Sequence, residues 1–118
     1  MFSIFKNFFS DKQKAYKDLN INDFKAACRN NALIIDVRTP AEFEIGKIAG
    51  AQNINVASFN FLKEAKALDN KKNVLVYCKS GGRSARAANM LTKIGFENVF
   101  NLKGGILAWQ KNNEKIVR

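Results

Sequence analysis

The chain has 118 residues, 47% of them hydrophobic with ten phenylalanines, enough for one domain with a sizeable core. A formal charge of +10, from 20 Lys and Arg against 10 Asp and Glu, favours anionic partners, and the lack of a dense basic tract or aromatic-interleaved motif argues for small anions and against nucleic acid. There is no histidine, which excludes a Ser-His-Asp triad, a Cys-His nucleophile pair and a histidine-ligated metal.

Taken in order, the chain opens on an apolar-rich stretch. A helical projection at about 100° per residue puts Met1, Phe2, Ile4, Phe5, Phe8 and Phe9 on one side. Residues 1–14 are therefore expected to form an N-terminal amphipathic arm, packed on its own domain in preference to docking residues 1–9 on a membrane or partner. Lys6 breaks the apolar run and no small-residue cleavage site follows, so a signal peptide is not expected. Residues 15–118 are expected to be the domain itself.

Tyr16–Leu19 reads as a short edge strand, followed by a helix with Asn22 as N-cap and Phe24, Ala27 and Cys28 on one face. Cys28 is thereby a core residue. Leu33–Val37 is a nearly continuous apolar run, the pattern of a strand covered on both faces. Thr39, Pro40 and Glu42 then form a capping box with proline at the first helical position. Ala51–Val56 suits a strand, and Ser58–Leu68 a helix with Phe61, Leu62, Ala65 and Leu68 on one face. After the polar turn Asp69–Lys72 come a strand at Val74–Cys78, a helix from about Ser84 to Ile94 stopped by Gly95, and a strand at Asn98–Leu102. Gly104 and Gly105 make a tight turn into a last helix, Ile106–Lys111, with Trp109 as a core or site-edge aromatic. Strands alternating with helices predict an α/β fold with a mainly parallel central sheet flanked by helices.

The chemistry concentrates at Cys78, Lys79, Ser80, Gly81, Gly82, Arg83 and Ser84. Here a cysteine ends an apolar strand, a loop with two glycines follows, and a helix begins. Glycines let backbone N–H groups turn inward, and the helix start directs unpaired N–H groups and its positive dipole end at the same point. Lys79, Arg83 and Arg86 add positive charge. Such surroundings lower the pKa of a free thiol into or below the neutral range, so Cys78 is expected to be the nucleophile. Cys28 and Cys78 lie fifty positions apart in no metal-ligand spacing. Both are expected reduced, which points to a cytoplasmic setting.

This loop resembles the active-site loop of rhodanese-like sulfurtransferases. Three other stretches resemble that family: Asp36-Val37-Arg38; Glu42-Phe43 with Gly46, Ile48, Gly50 and Ala51; and Leu102 through Trp109. The match runs from about Ile21 to Trp109. Lys47 stands where the family usually has histidine, and Ala49 where proline is common. The resemblance implies a rhodanese-like three-layer domain in which Cys78 takes a sulfane sulfur from thiosulfate or another small anionic donor and passes it to a thiol, a sulfur-accepting protein or cyanide. It further implies an anion-binding loop from Lys79 to Ser84, Asp36 and Arg38 in support, and no metal or organic cofactor. Two alternatives stay open. One is a rhodanese-like binding or sulfur-carrier module. The other is a cysteine phosphatase or arsenate reductase, which typically places its arginine six positions after the cysteine, whereas Arg83 lies five after Cys78.

Overall fold

The computed structural model describes residues 15–118, so the expected arm at residues 1–14 lies outside the described residues. Strands and helices alternate as β1 (Lys17–Leu19), α1 (Ile21–Ala27), β2 (Leu33–Asp36), α2 (Pro40–Ile45), β3 (Gln52–Asn53), α3 (Phe61–Lys66), β4 (Val74–Tyr77), α4 (Gly82–Lys93), β5 (Val99–Leu102) and α5 (Gly105–Lys111). The five strands form one sheet in the order β1-β5-β4-β2-β3, and every pairing is parallel.

The side-chain alternation of β4 builds the two cores. Val74, Val76 and Cys78 face Phe61 and Ala65 of α3 and Ala87, Ala88 and Leu91 of α4. Leu75 and Tyr77 face the opposite way, toward Phe24 of α1 and Ile106 and Trp109 of α5. A strand with period-two side chains buried on both faces must be apolar throughout, which accounts for Val-Leu-Val-Tyr at this position. Helices on both faces of the sheet give the expected three-layer α/β architecture. β4 and β2 are neighbours, yet the chain continues from β2 outward to β3 and from β4 outward to β5. The carboxyl ends of these two strands flank the crevice where open α/β sheets bind ligands.

Several boundaries differ from the sequence expectation. The N-cap of α1 is Asn20, whose Oδ1 accepts the Asp23 N–H at 2.8 Å, and Asn22 falls inside the helix. Both asparagines suit a cap, but only Asn20 sits three residues before an N–H that its side chain can reach. β3 shrinks from Ala51–Val56 to Gln52–Asn53 because only these two residues pair with β2. In α3 the helix proper begins at Phe61, and Leu62, expected on the buried face, is 38% exposed. The helix expected from Ser84 starts two residues earlier at Gly82, which brings Ser84 into its first turn and buries it completely.

Candidate active site

Cys78 follows the last residue of β4 and is 1% exposed. The loop turns back over it. Gly81 adopts φ +118°, a left-handed conformation favouring glycine, and its N–H donates to Cys78 Sγ at 3.1 Å. The Ser84 hydroxyl lies 3.3 Å from the same sulfur and 3.2 Å from the Gly81 carbonyl. No side chain caps the 12-residue α4, so the sulfur takes the place of a cap at a helix end rich in unpaired donors. Burial pushes the Cys78 thiol up. The Ser84 hydroxyl and the N–H groups of Ser84, Gly81 and Ser80 pull it down, and the net position is below the usual thiol value of 9.0. Cys28, with no such donors, is pushed by burial up to about 11.

The outer side of the loop is held by α5. Ile106 N–H donates to the Cys78 carbonyl at 2.9 Å, and Leu107 N–H to the Lys79 carbonyl at 3.1 Å. One helix start thus takes up the loop's carbonyls while N–H groups of the loop and the other helix start turn to the sulfur. The approach is so close that a Cβ on Gly105 would fall 2.3 Å from the Lys79 carbonyl oxygen. Gly104 and Gly105 have φ +82° and +64°, so both the turn and the contact call for glycine.

Asp36 ends β2 and Arg38 follows two residues later. The Arg38 guanidinium bonds both carboxylate oxygens of Asp36, Oδ2 at 2.6 Å and Oδ1 at 3.0 Å, and the Gly46 carbonyl at 2.6 Å. Asp36 is fully buried and Arg38 is 6% exposed. Removing one partner of such a buried pair costs about 3–5 kcal/mol. The Tyr77 hydroxyl, next in sequence to Cys78, accepts the Ile48 N–H at 3.0 Å. Burial pushes the Tyr77 phenol above its ordinary range, keeping it neutral. The segment from Gly46 to Ile48 is therefore tied to both central strands. Gly46 also leaves room for Ile116, whose Cδ1 would lie 2.8 Å from an added Cβ. Lys47, in the position where the sequence departs from its resemblance, pairs its backbone with Val117 and sets its ammonium 4.5 Å from the centre of the Phe43 ring.

The cations divide. Lys79 and Arg86 are exposed. Arg83 turns to α2, its two terminal nitrogens bonding the two carboxylate oxygens of Glu42 at 2.8 and 3.0 Å. The capping box forms as expected, with Glu42 bound to the Thr39 N–H and hydroxyl. Arg83 first, and then Thr39, hold the Glu42 carboxyl down to about 2 against the upward pull of burial. The pair joins residues 41 apart, a link with no period or motif to announce it. Beside the loop, between α2 and the start of α5, a depression of about 240 Å³ has Arg38, Glu42 and Lys79 as charged walls and Ile45, Ile106 and Leu107 as apolar ones.

Fold and site together define a class: a parallel α/β protein with a cysteine of lowered pKa in a backbone cradle beyond its central strand. The Rhodanese-like domain family matches residues 20–112, and the chain belongs to that family. It is 42% identical over 98 residues to the Uncharacterized protein YqhL of Bacillus subtilis, covering 83% of this chain and 75% of that one. It is 36% identical over 111 residues to the tRNA uridine(34) hydroxylase of Pelagibacter ubique, but spans 34% of that protein's length. The match to the probable adenylyltransferase/sulfurtransferase MoeZ of Mycobacterium tuberculosis is 41% over 78 residues and spans 20% of it. Among solved structures, the rhodanese-related protein of Thermoplasma volcanium is 30% identical with a TM-score of 0.77, covering 86% of this chain and 98% of that one. No helix among the described residues is long and apolar enough to cross a membrane.

Proposed function

We propose that the protein is a sulfurtransferase that carries sulfane sulfur as a persulfide on Cys78. The observation behind this reading is the sulfur's own environment: a buried thiol of lowered pKa that receives the Gly81 N–H and neighbours the Ser84 hydroxyl. Those donors suit the negative charge of a thiolate and equally of the persulfide that replaces it. With thiosulfate as donor, the Cys78 thiolate attacks the outer sulfur and forms a new S–S bond. The bond to the sulfonate sulfur breaks, and its electron pair leaves with sulfite. In the second half, a thiolate acceptor or cyanide attacks the outer sulfur of the persulfide, and the pair returns to Cys78. The two half-reactions balance without an oxidant, metal or organic cofactor.

The relative named as a probable adenylyltransferase/sulfurtransferase supports sulfur chemistry for this domain. The loop favours sulfur over a phosphate ester on two counts: Arg83 comes five positions after Cys78, and its guanidinium is engaged by Glu42. Thiocyanate release from thiosulfate and cyanide tests the reading. Wild type is expected to turn over and Cys78→Ala to fall to background with its fold unchanged. Phosphoester hydrolysis lost in Cys78→Ser would support the phosphatase alternative instead. Exchange with one protein partner, but no turnover of small donors, would support a carrier module.

A further inference from the structure

Arg83 is the cation one expects to greet an anionic donor, and the structure pairs it with a carboxylate. Both its terminal nitrogens are used by Glu42. Neither helix requires this contact, because Thr39 and Glu42 close the cap of α2 by themselves and α4 begins at Gly82 with no side-chain cap. The pair stays partly open to solvent, with the Arg83 and Glu42 side chains 35% and 30% exposed. Glu42 also forms part of the wall of the depression beside the loop, together with Arg38 and Lys79. With the Glu42 carboxyl held at about 2, its charge is present throughout the working pH range.

We infer that Glu42 is a specificity-determining residue: by neutralising Arg83 it turns the site away from dianionic sulfur donors and toward donors of lower charge, such as small alkyl persulfides. This rests on the sulfurtransferase reading. Thiosulfate brings two negative charges to a thiolate, so its binding depends on every uncompensated cation near the loop. A persulfide R–S–S⁻ brings one. The Cys78 thiolate attacks its outer sulfur, the S–S bond of the donor breaks, and the electron pair leaves on the R–S sulfur, which takes up a proton from water when the donor is ionised. Backbone donors at Gly81, Ser80 and Ser84 serve both donors alike, whereas the charge on Glu42 opposes the dianion more strongly.

The test is single-turnover sulfur loading, followed by intact mass, with thiosulfate and with 2-hydroxyethyl persulfide as donors. Glu42→Gln keeps the geometry of a capping box, since glutamine serves that role as well, and releases Arg83 from its charge partner. The expected result is a half-saturating thiosulfate concentration lowered about five-fold or more, with the plateau rate within about two-fold and the persulfide half-saturation shifted by less than about two-fold. An unchanged or raised value for thiosulfate, or equal shifts for both donors, would overturn the inference. Arg83→Gln gives a second arm. It leaves Glu42 unpaired and is expected to raise the half-saturation for thiosulfate selectively, so an equal rise for both donors again counts against the role. Wild type that loads from neither donor fails at an earlier point, removing the sulfurtransferase reading and the inference with it.

Discussion

The two thiols of this protein differ because of what lies within a few ångströms of each sulfur atom. Cys28 and Cys78 are both largely shielded from water, and burial alone pushes either thiol up. What separates them is the set of donors that the loop and the first turn of α4 bring to Cys78. A thiol lowered from its usual 9.0 is increasingly ionised as pH rises and is fully so below the pH at which an ordinary thiol is. Sulfur loading of Cys78 from thiosulfate, whose own charge is constant over this range, is therefore expected to climb with pH and level off with a midpoint below 9.0. Cys28, at about 11, should carry no sulfur anywhere on that rise. Intact mass with peptide mapping across the pH series measures both. A midpoint at or above 9.0, or sulfur on Cys28, would contradict the account of the cradle.

At the level of elements, the site is three segments pressed together: the end of β4 with its loop, the start of α5, and the turn after β2. The first was legible in the sequence because it is local. An apolar run, a cysteine, two glycines and a helix pattern lie within a dozen residues, and backbone geometry follows from residue type. The capping box at Thr39 and Glu42 was legible for the same reason. The Gly104–Gly105 turn was visible only as a turn. Its function is to let Ile106 and Leu107 donate to the carbonyls of Cys78 and Lys79, which takes the parallel pairing of β4 with β5 to bring about. The Arg83–Glu42 pair was invisible for a similar reason, each partner being explained locally without the other. The cap expected at Asn22 falls at Asn20, two residues earlier, because the choice turns on a single hydrogen bond that only coordinates can assign.

That docking makes a strong demand on Gly105. A methyl group there meets the Lys79 carbonyl at 2.3 Å and sits on a residue with φ +64°. Gly105→Ala is expected to destabilise the domain by about 2 kcal/mol or more, a fall in Tm on the order of 10 °C. Sulfur loading should slow as well, because the displaced segment is the one that carries Cys78. Thermal unfolding combined with single-turnover loading checks this. A Tm within about 2 °C of wild type, with loading unchanged, would show that α5 does not hold the loop.

At the scale of the whole molecule, a parallel sheet covered on both faces leaves its crevice at the strands' carboxyl ends, and Cys78 lies there, just beyond β4. Alternation of strand and helix was readable from periodicity, whereas the order β1-β5-β4-β2-β3 was not, since no local signal says which strands become neighbours. The same domain occupies three quarters of one relative and a fifth or a third of others. The proposed activity requires a persulfide on Cys78. Intact-protein mass spectrometry of wild type and Cys78→Ser, after thiosulfate and again after cyanide, tests it most directly. The expected result is a gain of one sulfur, about +32 Da, in wild type alone, removed by cyanide. Loading of the Cys78→Ser variant, or a folded wild type that gains no sulfur from thiosulfate or from a persulfide donor, would contradict it.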